Sequence, residues 1–188
     1  MKKIAIVAAA AAALLSGALI GAHLLKNSMS EPAVAMTQPV WSEVPWPFPI
    51  DQWGRGKVFR CKPADCGTEV AVYIRAKIGF CNCATGVADD EELDRISDFD
   101  LFGNRLTALG PGQPITVAWM KGRSRAFSVG GASRAEKSAL SIGFNDRCDA
   151  IVATAVLGND RPGAIEPAVL AFLNSRTVLR WAEVTLGL

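Results

Sequence analysis

The chain has 188 residues, half of them hydrophobic, with 20 basic and 18 acidic side chains and a formal net charge of +2. That length and apolar content suit one domain with a real core and exclude a disordered body. The one histidine, His23, stands near the N-terminus, so the remainder has no imidazole for activating a serine or cysteine, for acid–base catalysis or for haem ligation.

Lys2 and Lys3 precede an alanine-rich apolar run, Ile4 to Leu15, which Ser16-Gly17 interrupts before it resumes to Leu25. This is the layout of a secretory signal, expected over residues 1–35 with cleavage after Ala33-Val34-Ala35; Ser16-Gly17-Ala18 is the other cleavage candidate. Left uncleaved, the run of about 20 apolar residues serves as an inner-membrane anchor. The expected location is therefore periplasmic or secreted, or inner-membrane anchored if the leader stays. Losing residues 1–35 removes three lysines and one glutamate and leaves a neutral body. Neutrality and export together argue against a nucleic-acid partner, which needs a basic field.

Residues 36–56 read as an extended arm. Pro39, Pro45, Pro47 and Pro49 exclude regular helix, and Trp41, Trp46, Phe48 and Trp53 are threaded among them. Such an arm either grips a partner or membrane surface, or folds over its own domain with its aromatics in grooves, where large rings are usually buried.

Residues 57–188 form the globular part. Lys57–Cys61 is a short strand, Pro63–Gly67 has turn residues, and Glu69–Phe80 alternates with period two as a half-buried strand, polar on the Tyr73, Arg75, Lys77 side. Asp89–Ile96 is a short helix with acids in its first turn, where they suit the helix dipole. Ile115, Val117 and Trp119 alternate in a strand, followed by a turn at Lys121-Gly122-Arg123-Ser124 and a return strand through Val129. Leu140, Ile142 and Phe144 alternate again, Asn145-Asp146 makes a turn, and Ala150–Leu157 is an apolar strand. Pro167–Asn174 is a second helix, and Thr177–Leu186 is the final strand. About seven short strands with one or two helices predict a mainly β, antiparallel α+β domain, sandwich or barrel-like, containing disulfides.

Behind an export signal, cysteines are first read as disulfides. Cys61 and Cys66 bracket a turn and are expected to pair. Cys148 is expected to pair with Cys81 or Cys83, which share a side of an extended chain, and one thiol is left over. The alternative gathers Cys61, Cys66, Cys81 and Cys83 into a thiolate site for zinc or copper, although their spacing differs from the C-x2-C pairs of zinc ribbons.

Seven acids fall within the twelve residues Asp89 to Asp100. Asp98-x-Asp100-x-x-Gly103 lacks the spacing of a calcium loop, and a solvated helix start accounts for the run. Lys121, Arg123 and Arg125 form a basic patch suited to an anionic ligand or headgroup.

The order Trp53, Cys61, Cys66, then Cys148, the strand Ile151–Leu157, the helix Pro167–Asn174 and a final strand closing on Val184-Thr185-Leu186-Gly187-Leu188 resembles the small exported proteobacterial proteins of the invasion-associated locus B type. The resemblance implies an exported, disulfide-containing β-rich domain without known enzymatic chemistry; the Cys81-Asn82-Cys83 element and the acidic segment depart from it. The expected function is a non-enzymatic interaction or accessory module of the cell envelope, without cofactor. It would contact an envelope protein or membrane surface through Trp41, Trp46, Phe48 and Trp53 or through Lys121, Arg123 and Arg125. A thiolate metal-binding protein is the alternative, and a carboxylate-based hydrolase comes third.

Overall fold

The computed structural model describes residues 39–102, 106–130, 137–158 and 161–188; the leader expected over residues 1–35 lies outside them. The strands are β1 (Trp41–Val44), β2 (Lys57–Cys61), β3 (Val70–Lys77), β4 (Leu106–Ala108), β5 (Gln113–Val117), β6 (Met120–Val129), β7 (Lys137–Asp146) and β8 (Asp149–Leu157). Four helices accompany them among the described residues: the single turn α1 (Pro63–Cys66), then α2 (Asp90–Ile96), α3 (Pro162–Leu173) and α4 (Arg176–Leu186). The strands form one antiparallel sheet in the order β1-β2-β3-β8-β7-β6-β4, with β5 also on β6. The sheet stays open, with helices on both faces, so the expected mainly β, disulfide-containing α+β domain is present as a layered sandwich.

Alternation sorts the residues between the faces. In register, Val72 lies opposite Ala155, Leu140 opposite Ala155 and Ser124 opposite Ile142, which places Phe59, Val72, Ile74, Ile142, Phe144, Ile151 and Ala153 on one face. Ile165, Val169, Phe172 and Leu173 of α3 and Val178 and Ala182 of α4 complete this core. We call it the helix face. The other face carries Tyr73, Arg75, Lys77, Val152, Thr154, Ser141, Arg123 and Arg125. It is covered by α2, where Leu93 and Ile96 meet Val152 and Ala150, and by the arm, where Trp46 and Phe48 meet Tyr73. We call it the arm face.

Four sequence expectations are corrected. Residues 177–186 form a helix, not a strand: Ser175 caps its start by accepting the Val178 N–H, and Gly187 ends it in the left-handed region at φ 73°. The buried Val178 and Ala182 are spaced i, i+4, a helical period that the Leu179 and Trp181 alternation masks. The turn before β6 falls at Ala118-Trp119, with Ala118 at φ 52° and Val117 opposite Met120. Lys121 to Ser124 instead lie within β6, where a Cβ on Gly122 would collide with the Gly143 carbonyl. That glycine serves close strand approach rather than a turn. Likewise the β7–β8 turn is Arg147-Cys148, because Asn145 and Asp146 continue the ladder opposite Ala150 and Asp149. Helix α3 also starts earlier than expected, with Pro162 in its first turn and Pro167 inside it.

Candidate functional site

The arm face is where charge is buried. Arg75 and Lys77 project from β3 and are 2% and 4% exposed, with Asp98 beside them at 4%. Arg75 Nε and Nη2 donate to the two Asp98 oxygens at 3.0 and 2.5 Å, the bidentate fork that suits a guanidinium to a carboxylate. Lys77 Nζ lies 2.9 Å from Asp98 Oδ1. The arm adds Asp51, which accepts from Arg75 Nη1 at 2.6 Å. It also brings the Trp46 ring 5.7 Å from the Arg75 guanidinium and the Trp53 ring 5.3 Å from the Lys77 ammonium. Burial is the largest effect on the Asp51 carboxyl and raises its pKa, but the hydrogen bonds from Arg75 and the Trp53 N–H and the charges of Arg75 and Lys77 together outweigh it, and the carboxyl sits below its ordinary value. Burial is also the largest effect on the Arg75 cation and lowers its pKa, but the hydrogen bonds and charges of Asp98 and Asp51 together outweigh it, so its pKa is raised.

The strap is therefore folded over its own domain. Trp41 stacks on Phe172 of α3 at 4.6 Å, on the helix face, while Phe48 meets Tyr73 and Phe102 and Trp53 meets Phe80. All four arm aromatics named from the sequence are half-buried against the chain itself. Gly56 permits this approach, since a Cβ there would meet the Trp46 ring and the Ile74 carbonyl.

On β6, Arg123 and Arg125 point at α2. Arg123 Nε donates to Asp90 Oδ1 and Nη2 donates to the Gly112 carbonyl at 2.9 Å; Arg125 Nη1 donates to Asp94 Oδ2 at 2.7 Å. Hydrogen bonding from Arg123 holds the Asp90 carboxyl below its ordinary pKa against the opposing effect of burial. Asp94 goes the other way: burial pushes it up despite Arg125, and its Oδ1 has no hydrogen-bond partner. The acidic run is thus a helix start plus partners for the sheet. Asp89 accepts from the Glu92 N–H at 2.8 Å as the N-cap, and Asp98 serves the cations of β3.

The cysteines resolve into Cys61–Cys66, with Cα atoms 6.0 Å apart, and Cys83–Cys148, with Cα atoms 4.2 Å apart; Cys81 is free and buried. The first bond belongs to the helix-face core, and Cys81 to the arm-face cluster. The four thiols of the metal alternative are not gathered: Cys61 lies opposite Val70 at the start of β3, whereas Cys81 and Cys83 follow its end, some 25 Å away along an eight-residue strand. Burial pushes the Cys81 thiol up to about 11, with the Glu92 and Asp149 carboxylates adding to the effect.

Lys121, last of the three basic residues named from the sequence, differs from the other two. It is exposed, and no ion pair to it occurs among the described residues. It lines a groove of about 350 Å³ with Thr85, Val87, Pro114, Thr116 and Asn145. Asn145 builds the wall: its Oδ1 accepts the Val87 N–H at 2.9 Å, and a Cβ on Gly86, at φ 64°, would strike its amide. The groove offers one ammonium, two hydroxyls and an apolar floor, with no carboxylate among its lining residues. That set suits the anionic end of a small or projecting group, and the volume is at the low end for ligand sites.

Compared with known proteins, the sequence matches no family model and no curated protein. Sequence reading missed Asp51 and Asp98 as partners of buried cations, and Asn145 as a groove wall. Each acts across a long stretch of chain, and nothing in its local pattern signals that.

Proposed function

We propose that the chain is an exported envelope protein, periplasmic or secreted once its leader is removed, that works as a non-enzymatic interaction module and receives an acidic group of a partner envelope protein in the Lys121 groove. The leader layout and the two disulfides support export, since such bonds belong to oxidising compartments. The resemblance to locus B type proteins supports an accessory role in the envelope. One observation carries the choice of surface. Arg123 and Arg125 are matched by carboxylates of α2, whereas Lys121 on the same face of β6 opens onto a groove without one. A concave site takes a projecting carboxylate better than the plane of a bilayer does.

A photoreactive residue placed at Thr116 tests this in the mature protein, with Arg161 as the control position. A discrete envelope adduct is expected from position 116, reduced about ten-fold by Lys121→Glu and absent from position 161. Equal adducts from both positions, or adducts indifferent to Lys121→Glu, would overturn it.

A further inference from the structure

Three cysteines come together where the segment after β3 crosses the β7–β8 turn. Cys83 is bonded to Cys148, yet Cys81 is held to the same residue by its backbone: the Cys81 N–H donates to the Cys148 carbonyl at 3.1 Å. Its Sγ donates to the neighbouring Arg147 carbonyl at 3.3 Å. Adding the fixed Cα–N and Cα-to-carbonyl-oxygen spans to that 3.1 Å bond keeps the Cα atoms of Cys81 and Cys148 within about 7 Å. A disulfide bridges that distance. The two candidate partners differ in surroundings. Cys81 is 6% exposed, beside Val87, Leu93 and Ile96, whereas Cys83 sits on an exposed loop.

We propose that Cys81 and Cys83 are alternative partners of Cys148, and that exchange between them makes Cys83 a latent surface thiol open to modification by a disulfide-bearing co-reactant. In the exchange, Cys81 gives its proton to solvent and its thiolate attacks Cys148 Sγ. The Cys81–Cys148 bond forms as the Cys83–Cys148 bond breaks, and Cys83 leaves as a thiolate that takes up a proton at its own pKa. Nothing is oxidised or reduced overall. In the second step the Cys83 thiolate attacks a sulfur of a disulfide R–S–S–R, giving a mixed disulfide at Cys83 and releasing R–S⁻. Around the attacking sulfur, Glu92 and Asp149 disfavour its thiolate and Arg95 favours it, on top of the burial that keeps it protonated at neutral pH. The exchange is therefore slow near neutrality and speeds up about ten-fold per pH unit as the thiolate fraction grows.

The test uses the full, unreduced, native chain. It is incubated with N-ethylmaleimide at pH 7 and pH 8, quenched in acid, cleaved with pepsin and mapped by mass spectrometry. The expected product carries maleimide on Cys83 together with a Cys81–Cys148 disulfide, formed about ten-fold faster at the higher pH. Cys81→Ser is expected to abolish the labelling and keep Cys83–Cys148 intact, and Cys83→Ser to fold with Cys81–Cys148 bonded. Label on Cys81 alone, label on Cys83 that persists in Cys81→Ser, or two free thiols in folded Cys83→Ser would each overturn the proposal.

Discussion

The two faces of the sheet are made by the same strands yet buried by different chemistry. On the helix face, Val72, Ile74, Ile142 and Phe144 meet Val169, Phe172, Leu173 and Val178, an apolar contact whose strength follows area and needs no particular partner. On the arm face, the intervening residues Arg75, Lys77, Arg123 and Arg125 are shielded only because Asp51, Asp98, Asp90 and Asp94 arrive from the arm and from the segment around α2. Buried apolar surface tolerates approximate packing, while a buried charge depends on one specific counter-charge. The arm face is thus the conditional side of the molecule. It is also the side that carries the free thiol and the Lys121 groove.

The sharpest way to break this comparison is to remove a counter-charge. Asp98→Ala strands Arg75 and Lys77 without their shared carboxylate, and denaturant melts are expected to show a loss of about 3–5 kcal/mol. Ile142→Val on the helix face is expected to cost only about 0.5–1.5 kcal/mol. Replacing the trio together, as Arg75→Met, Lys77→Met and Asp98→Leu, should recover most of the loss. A triple variant as unstable as Asp98→Ala would contradict the account of this face.

Acid gives a smaller separation. Hydrogen bonding to Arg123 holds Asp90 below its ordinary pKa, bonding to Arg95 does the same for Glu92, and at Asp51 Arg75, the Trp53 N–H and Lys77 together overcome burial. Depressed carboxyls contribute stability that is present above their unfolded values and lost as pH falls through their folded ones, so urea midpoints should drop below about pH 4. Asp94 is raised by burial and has the opposite sign, gaining stability as it protonates. Asp94→Asn lacks that gain and is therefore expected to lose more stability on acidification than the parent. A parallel shift of the two curves would count against the burial of Asp94.

The smallest expected effect concerns Thr154, which is 1% exposed with its hydroxyl unpartnered on the arm face. Thr154→Val keeps the shape and removes the unmet polar group, so a gain of about 1 kcal/mol is expected in thermal or urea unfolding. A loss of similar size would mean that the hydroxyl has a partner in solution.

The sequence made the helix face easy to read, because alternation in 70–80 and the apolar run 150–157 report burial directly. The disulfide Cys61–Cys66 was legible from a turn between two strands, and Cys148 from the remaining thiols. The choice between Cys81 and Cys83 was not, since both lie within reach of Cys148. The arm face was misread as the solvated side of β3, because Arg75 and Lys77 look like surface residues until Asp98 is placed over them. Asp98 is 23 residues from Arg75, and no local period connects them. Helix α4 was lost to a two-residue alternation, although Ser175 and Gly187 bracket it as caps. The groove was invisible for a similar reason, as Thr85, Thr116 and Asn145 come from three separate segments.

Among the described residues the sheet has two edges that no further strand pairs, and these set how the protein behaves when crowded. At one edge β1 is four residues long and bracketed by Pro39 and Pro45; at the other, β4 has three residues and β5 contains Pro114. A proline offers no N–H to an incoming strand, and so short an edge gives a poor template. A second copy that tried to extend the sheet would find only a few ladder positions before meeting a proline. The architecture therefore opposes fibre growth by edge addition.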